Sequence, residues 1–403
     1  MKSFTRYNPI GHEEKAAAMR VLDSGCLSAF IGAWGDDFHG GPEVTKFESE
    51  LAKYFNVKHA ITFNSLTSGL MAAVGAIGIE PGDEVIVSPW TMSATATAIL
   101  IWGGIPVFVD IETDYYGLDP AKVTAAITEH TKAIMVTDIF GHGAKLDELK
   151  KVAHRFDLKV IEDVAQAPGI EYKKKYCGTW GDIGGFSLNY HKQIHTGEGG
   201  FCLTNDGDLA LKMKMIRNHA EASVVNSPIT ELTNMVGFNF RMGELEAAIG
   251  REQLNKLNGF LQVNQRKAGI VNEILATVPD FKLSDTAQHS QHAYYVLPIQ
   301  IVKNSHRRKV WLDSLLEMGI PGLMAGYVNV HRLPMYEQKV AFGKSYPWSM
   351  AHRDIQYGLG ICPVAEKLKD DNFVGLLISM YELSDQECEF IAHSMVNTWN
   401  ELN

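Results

Sequence analysis

The chain has 403 residues, of which 46% are hydrophobic and 21% are charged, and its formal net charge is −10. This size allows one large domain and a smaller one, and an acidic chain without a basic run argues against a nucleic-acid partner. No apolar run reaches the ~18 residues that span a bilayer, and the first residues lack a signal-peptide core, so no membrane partner is expected. The 5 dispersed cysteines indicate reduced thiols and a cytoplasmic location. None of the 15 histidines has a recognised metal-ligand spacing, so we assign no metal.

Strands and helices are predicted to alternate along the first part of the chain. Helices are expected at 13–24, 43–54, 120–127 and 145–156, with another that reaches Gly78. Strands are expected at 59–63, 83–87, 107–110, 133–137 and 159–161. This alternation predicts an α/β protein with a parallel sheet covered by helices, in which ligands bind at the carboxyl ends of the strands.

The second part of the chain is predicted to complete this unit and add a smaller one. A strand at 201–204 and helices at 208–217 and 244–256 are followed by a long helix that ends near 276. Strands near 294–301 and helices at 307–318 and 385–401 come last. We therefore expect a large domain at 1–257 and a small C-terminal domain at 258–403.

The stretch Gly185–Gly200 reads GFSLNYHKQIHTGEGG and contains one lysine, Lys192. A lone lysine is more often a solvated surface residue. Here Ser187 could bind an anion, and the glycines after the lysine allow backbone to approach a ligand closely. Upstream, Asp163 ends an apolar run. A Schiff-base lysine, an aspartate for a pyridinium nitrogen and a hydroxyl for a phosphate together indicate a pyridoxal phosphate site.

These residues occur in an order that resembles the DegT/DnrJ/StrS family of sugar aminotransferases, which are fold-type I pyridoxal phosphate enzymes. The family pattern is an aspartate, then Ala-Gln, then S-F-x-x-x-K-x-I-x-T-x-E-G-G. The matching positions here are Asp163, Ala165, Gln166, Ser187, Lys192, Thr196 and Glu198–Gly200, with Leu188 in place of phenylalanine. The resemblance covers nearly the whole chain. It implies a mostly parallel seven-stranded sheet with a small C-terminal α+β domain.

The resemblance also implies roles for individual residues. Lys192 would carry the cofactor and move protons, Asp163 would pair with the ring nitrogen, and Gln166 would lie near the 3-oxygen. The phosphate would be held by Thr67, Ser68, Ser187 and Asn239. Asn239 lies in a G-F-N-F-R run that, in relatives, reaches the cofactor of the neighbouring subunit. A homodimer with shared active sites is therefore expected.

The chain departs from the family at several positions. Leu66 replaces a usual glycine beside Thr67, and Met92 stands where an aromatic residue stacks on the cofactor ring, which leaves Trp90 as an alternative stacking residue or a core residue. The segment 26–41 is longer than in relatives. It is either a surface loop or part of the substrate pocket, with Trp34 as its candidate contact.

The acceptor motif H-Y-P-x-P-x-H survives only in part. Its last histidine is His331, and Tyr327 occupies an earlier position, so both are candidate substrate residues.

We therefore expect a transaminase that moves an amino group from glutamate to a keto- or aldehydo-sugar for cell-surface polysaccharide or lipopolysaccharide synthesis. The altered motif and the long segment 26–41 together favour the 8-position of a 3-deoxy-manno-octulosonate as the acceptor, and a nucleotide-linked 4-keto or 3-keto sugar is the alternative.

Two other functions are weighed against transamination. Some relatives carry histidine in place of the lysine and dehydrate sugars, and His191 lies beside Lys192. Counting back from Glu198–Gly200, however, assigns the catalytic position to Lys192. A catalytically silent regulatory homologue is the second alternative. The intact set of Lys192, Asp163 and Gln166 argues against it.

Overall fold

The computed structural model describes residues 4–221, 229, 231–284 and 290–402. Helix α1 (His12–Ser24) ends at Gly25, whose φ of 67° is the left-handed conformation that glycine adopts readily. Helix α2 (Pro42–Tyr54) begins with a proline, which is favoured at the first helical position because it has no N–H to satisfy. Both helices lie where the sequence predicts them.

A seven-stranded sheet forms the centre of the large unit. Its strands are β1 (His59–Phe63), β2 (Glu84–Val87), β3 (Ile105–Phe108), β4 (Thr131–Thr137), β5 (Lys159–Asp163), β8 (Ile183–Ser187) and β9 (Gly200–Thr204). A separate hairpin pairs β6 (Glu171–Tyr172) with β7 (Lys175–Tyr176). The order in the sheet is β1-β9-β8-β5-β4-β2-β3, and β9 is antiparallel to both of its neighbours. The prediction of a mostly parallel sheet of seven strands is confirmed.

Helices cover the sheet, as the alternating pattern predicts. They are α3 (Leu66–Ala76), α4 (Ser93–Ile101), α5 (Pro120–Ala126), α6 (Leu146–Arg155) and α7 (Gly207–Arg217). Because apolar side chains fill the space between the layers, the strands read as nearly continuous buried runs. Phe186 and Phe201 stack face to face inside this core, with ring centroids 4.7 Å apart.

The register of the sheet places the ends of three parallel strands side by side. Thr137 of β4 pairs with Asp163 of β5, and Asp163 pairs with Gly185 of β8. In-register residues of neighbouring strands point to the same face, so the side chains of Thr137 and Asp163 share a face. Ser187, two residues beyond Gly185, lies on that face as well. The sheet therefore gathers the predicted site at one edge.

A single long helix, α8 (Glu244–Leu275), joins the large unit to the small one. The two helices predicted on either side of residue 257 form one continuous helix. Gly259 costs helix stability by about 1 kcal/mol relative to alanine, but Leu257 and Leu261 are buried on either side and hold the helix together. The predicted boundary at 257/258 therefore falls inside α8.

The small unit contains a second sheet, with strands β10 (Phe281–Leu283), β11 (Leu297–Ile301), β12 (Leu323–Met324) and β13 (Phe373–Leu376). The order is β10-β11-β13-β12 and all pairs are antiparallel. Helices α9 (Arg308–Glu317) and α12 (Asp385–Glu401) pack in the core of this unit. The short helices α10 (Pro334–Glu337) and α11 (Pro363–Lys367) pack in the core of the large unit instead.

Helix α8 packs in two cores. Its side chains up to Leu261 pack in the core of the large unit, and those from Ala268 onward pack in the core of the small unit. We propose on this basis that the two domains divide within α8. Within the described part of the chain, no helix is both long and apolar enough to cross a membrane.

A buried ion pair ties α7 to α2 and β1. The fully buried Arg217 donates from Nη1 to Glu48 Oε1 at 2.6 Å and to the carbonyl oxygen of Thr62 at 3.0 Å. The ring of Phe30 lies 4.8 Å from the guanidinium carbon. A charge pair taken out of water in this way is costly to break, because removal of one partner leaves the other buried and unpaired.

Replacing Arg217 with methionine should therefore lower the free energy of unfolding by about 3 kcal/mol in urea titrations, since Glu48 remains buried. Lys214 lies 3.9 Å from Glu48 and compensates only in part. The double variant Arg217→Met, Glu48→Gln should regain most of the loss, because the amide oxygen still accepts from the buried N–H of Thr62 and no charge remains unpaired. If the single variant unfolds at the urea concentration of the wild type, the ion pair does not hold these elements together.

Candidate active site

A cavity of about 210 Å³ opens at the carboxyl ends of β4, β5 and β8. Polar side chains from the sheet, from the turn after β8 and from the first turn of α3 converge there, together with tyrosines of the small unit. The predicted residues that line it are Thr67, Met92, Asp163, Gln166, Ser187, Lys192 and Tyr327. This convergence of separate motifs in one cavity identifies the candidate active site.

Asp163 is held at the floor of the cavity by two hydrogen bonds. Its Oδ2 accepts from Thr95 Oγ1 at 2.7 Å and its Oδ1 accepts from the backbone N–H of Ala165 at 3.1 Å. Only 4% of the residue is exposed. Burial raises the pKa of Asp163, whereas the bonds from Thr95 and Ala165 and the charge of Lys192 lower it. The carboxylate is therefore fixed in position, and these neighbours oppose the effect of burial on its charge.

Lys192 lies in the turn that follows β8, where its backbone N–H donates to the carbonyl of Asn189 at 2.9 Å. Its Nζ lies 4.5 Å from the ring centroid of Tyr295. Burial lowers the pKa of Lys192 to about 8, and the negative charge of Asp163 acts in the opposite direction. Lys192 therefore loses its proton more readily than an exposed lysine, and the neutral amine is the nucleophilic form.

Gln166 is immobilised beside Asp163. Its Oε1 accepts from the backbone N–H of Phe140 at 2.7 Å, and its Nε2 donates to the hydroxyl of Tyr327 at 3.5 Å. Phe140 adopts a φ of 61°, an uncommon conformation for a bulky residue. In this conformation the backbone N–H of Phe140 points at the side-chain oxygen of Gln166. The side-chain amide of Gln166 therefore has one orientation, and its nitrogen faces the hydroxyl of Tyr327 in the small unit.

The first turn of α3 provides an anion site. Ser65 caps the helix by accepting from the N–H of Ser68 at 3.1 Å. Ser65 and Thr67 line the cavity, and the remaining N–H groups of an α-helical first turn favour a negative charge such as a phosphate. Ser68 does not line the cavity, because its hydroxyl donates to Asn64 Oδ1 at 2.7 Å.

Leu66 fits into this turn because two glycines leave room for it. A Cβ on Gly185 would lie 2.6 Å from the Leu66 side chain, and a Cβ on Gly200 would lie 2.4 Å from the Leu66 nitrogen. The helix start therefore packs directly on β8 and β9. Leucine in place of the usual glycine leaves the cap at Ser65 intact.

Met92 and Trp90 have different environments. Met92 lines the cavity with 63% of its surface exposed, at the start of α4. Trp90 is fully buried and donates from Nε1 to Asn329 Oδ1 at 2.8 Å. The core alternative is therefore correct for Trp90, and Met92 is the residue available to contact a ring in the cavity.

Besides Ser68, three further predicted residues do not line the cavity of their own chain. His331 is fully buried, and its Nε2 lies 2.9 Å from Glu366 Oε1. Asn239 is exposed, and its Oδ1 accepts from Arg241 Nε at 2.8 Å. Trp34 contacts Phe38 and His39 of its own segment. The structure thus does not bring these residues to the site within one chain.

The segment 26–41 supports the loop that carries Asn239. Its Phe38 is fully buried against Met215 of α7, and the carbonyl of Ile31 accepts from Asn218 Nδ2 at 2.8 Å. Asn218 in turn forms a backbone bridge with Asn239. These contacts anchor the segment on the protein's own body, and none of its residues lines the cavity of its own chain.

Sequence reasoning missed several residues of the site. Tyr295 lines the cavity from the small unit, Thr91 also lines it, and Thr95 lies behind Asp163. His191 also lines the cavity; burial, followed by the charge of Lys192, lowers its pKa to about 4, which keeps it neutral. A tyrosine outside any motif gives no signal in a single sequence. The spacing T-x-x-x-T at the start of α4 was the only available hint for the threonines.

A buried carboxylate and a lysine amine at the carboxyl ends of a mostly parallel sheet, with a helix N-terminus for a phosphate, define a pyridoxal phosphate-dependent aminotransferase. The chain belongs to the DegT/DnrJ/EryC1/StrS aminotransferase family, whose model matches residues 29–371.

The sequences and structures of known relatives support membership of this family. GDP-perosamine synthase of Caulobacter vibrioides is 41% identical over 298 residues, which cover 73% of this chain and 79% of the relative. A spore coat polysaccharide biosynthesis protein of Bacillus subtilis, SpsC, is 31% identical over 373 residues, or 90% of this chain and 92% of the relative. The solved structure of Helicobacter pylori PseC, an aminotransferase involved in the biosynthesis of pseudoaminic acid, is 26% identical with a TM-score of 0.81 and covers 99% of both chains.

The residues of the cavity fit pyridoxal phosphate. Asp163 is suited to a protonated ring nitrogen, Lys192 to the aldehyde, and Ser65, Thr67 and Ser187 to the phosphate. The hydroxyl of Thr137 is buried without a hydrogen-bond partner at this edge of the sheet, so a ligand could satisfy it. In the described part of the chain, no group of three or more His, Cys, Asp or Glu side chains could hold a metal ion.

The lowered pKa of Lys192 makes a prediction about cofactor loading. Because the neutral amine reacts and the protonated amine does not, loading of the cofactor-free protein should accelerate as the pH rises and level off above about 8. Stopped-flow absorbance after mixing with pyridoxal phosphate measures this rate. A rate that continues to climb beyond pH ~10, as for an exposed lysine, would show that burial does not tune Lys192.

Proposed function

We propose that the enzyme transfers an amino group from glutamate to the carbonyl carbon of a nucleotide-linked 4-keto or 3-keto sugar. The observation that carries the transamination is the pairing of Lys192 with the buried Asp163 in one cavity. Support for the acceptor comes from GDP-perosamine synthase, a 41% identical relative whose name contains a nucleotide. The pathway would be one that builds a cell-surface polysaccharide.

The 8-position of a 3-deoxy-manno-octulosonate is the second candidate acceptor. The features that favoured it were the segment 26–41 and the altered motif at His331, and neither Trp34 nor His331 lines the cavity. Octulosonate also carries a carboxylate. Among the described lining residues the cationic side chain is Lys192, which the reaction itself requires. Among its described residues, the cavity of one chain therefore supplies no second cation for that carboxylate, and the preference for a nucleotide-linked sugar rests on the relatives.

When bound, pyridoxal phosphate supplies an electron sink that stabilises negative charge on the carbon that loses its proton. Asp163 holds a proton at the ring nitrogen and so strengthens that sink. Lys192 Nζ would remove a proton from the α-carbon of the donor, as a base. It would then deliver that proton, as an acid, to the carbon that comes from the aldehyde of the cofactor. With the acceptor, Lys192 performs the same transfers in reverse, so glutamate becomes 2-oxoglutarate and the keto sugar becomes an amino sugar.

The remaining residues position and enclose the reactants. Gln166 would donate toward the 3-oxygen of the ring, while Tyr295 and Tyr327 would cover the cavity from the small unit. Closing the site excludes water and strengthens the electrostatic contact between Asp163 and the ring. The lysine at the catalytic position, six residues before Glu198, favours transamination over dehydration.

A panel of acceptors with 15N-labelled glutamate tests the proposal. Mass spectrometry should detect labelled amine on a nucleotide-linked 4-keto or 3-keto sugar and not on the octulosonate. Lys192→Ala should abolish transfer, and Lys192→Arg should do the same because its guanidinium is not a nucleophile at neutral pH. Transfer of the labelled amine to the octulosonate alone would show that the octulosonate, and not a nucleotide-linked sugar, is the acceptor. Loss of the sugar oxygen without amine transfer would support the dehydratase.

We further propose that the enzyme is a cytoplasmic homodimer in which Asn239 of one subunit completes the phosphate site of the other. The exposure of Asn239 outside its own cavity supports this arrangement. The orientation of Asn239 is also fixed by Arg241 before any partner binds. One site would thus draw its residues from two chains.

Mixed dimers can test this arrangement. Lys192→Ala and Asn239→Ala homodimers should each be impaired, while a mixed dimer contains one site with both native residues. Its activity should exceed that of either parent and approach about half of the wild type if the sites are independent. Subunit exchange must be verified by tag-based purification of the heterodimer. If verified heterodimers show no gain, Asn239 does not act across the interface.

A further inference from the structure

Two threonine hydroxyls, of which Thr91 borders the cavity, form a hydrogen-bonded chain that ends on Asp163. Thr95 belongs to the first turn of α4, and Thr91 precedes that helix. Their Oγ1 atoms are 2.6 Å apart, and Thr95 Oγ1 lies 2.7 Å from Asp163 Oδ2. Both residues are buried. We call Thr91 and Thr95 the hydroxyl pair.

The chemistry of the groups fixes the direction of these hydrogen bonds. An ionised carboxylate only accepts, so Thr95 donates its single hydroxyl proton to Asp163. Thr95 then has no proton left for Thr91, and Thr91 must be the donor to Thr95 Oγ1. Both bonds therefore point toward the carboxylate, and a chain polarised in one direction strengthens its last bond.

Asp163 needs this support because it is buried. Burial favours the neutral acid, and among the influences that oppose burial the hydrogen bond from Thr95 is the largest, ahead of the Ala165 N–H and the charge of Lys192. A neutral Asp163 would offer no negative charge to a ring nitrogen. Hydrogen bonds to ionised groups are roughly twice as strong as neutral ones, so the loss of one has a large effect here.

We propose that Thr95, supported by Thr91, is a positioning residue that keeps Asp163 ionised and aimed at the ring nitrogen of pyridoxal phosphate. The inference rests on transaminase chemistry and is independent of the acceptor. The backbone N–H of Thr95 also donates to the carbonyl of Met92 at 3.1 Å. The same turn therefore positions both Asp163 and Met92, the methionine available to contact the ring.

The test uses holoenzyme loaded with pyridoxal phosphate that carries 15N in the ring. The nitrogen chemical shift distinguishes a protonated from an unprotonated ring. Thr95→Val removes the hydroxyl at nearly constant shape, which makes Asp163 more basic, so the proton should pass from the ring nitrogen to the carboxylate. We expect the ratio of protonated to unprotonated nitrogen to fall about tenfold.

Matched variants separate positioning from structural damage. Thr95→Ser keeps the donor and should restore the wild-type nitrogen shift. Thr398→Val removes a buried hydroxyl that donates to the carbonyl of Ser394 in α12, and it should leave the shift unchanged. Thr91→Val removes only the outer donor, so it should move the shift in the same direction as Thr95→Val but less far.

Kinetics of the glutamate half-reaction provide the second readout. In Thr95→Val, kcat should fall by at least tenfold with KM within about threefold, since a weaker electron sink affects the transition state and not donor binding. A wild-type nitrogen shift in Thr95→Val overturns the proposal. If that variant does not fold, an unchanged shift in Thr91→Val overturns it equally. Because no acceptor sugar is present, failure here is distinct from a wrong acceptor.

Discussion

The structure depends on one buried carboxylate, Asp163, held at the end of β5 where water cannot solvate it. An isolated charge at such a place is costly, and the protein lowers that cost with the hydroxyl of Thr95, the N–H of Ala165 and the ammonium of Lys192. The same burial lowers the pKa of Lys192 to about 8. The same buried environment therefore provides a carboxylate, Asp163, that can pair with the ring nitrogen and an amine, Lys192, that can be neutral.

The surrounding fold serves to keep these groups in register. Strand pairing aligns Thr137, Asp163 and Gly185, and the glycines of β8 and β9 let the N-terminus of α3 approach the same edge. Gln166 is locked by the N–H of Phe140. The small unit contributes Tyr295 and Tyr327, so the site forms only where α8 holds the two units together.

The sequence predicted the elements whose pattern is local. The alternation of strands and helices and the ordered motif around Lys192 were sufficient for the sheet and for most of the cavity. Long-range packing was not predictable in this way. His331 carries a motif signal, yet Glu366 and the core around Phe108 hold it away from the cavity.

Helix α8 and the hydroxyl pair also depend on long-range packing that a local sequence pattern does not reveal. Gly259 suggests a helix end, but burial of its neighbours overrides that local preference. Thr95 resembles any helical threonine until β5 is packed beside it. Likewise, the length of the segment 26–41 did not reveal that its Phe38 is buried and that its Ile31 carbonyl accepts from Asn218, next to the loop of Asn239.

The central claim is that Lys192 carries the cofactor opposite Asp163. Reduction of the holoenzyme with borohydride fixes pyridoxal phosphate covalently on the lysine that holds it, and peptide mass spectrometry then locates the added mass. The account predicts that the label lies on the peptide containing Lys192, with one label per chain. A label on another lysine, or a holoenzyme that acquires none, would contradict it.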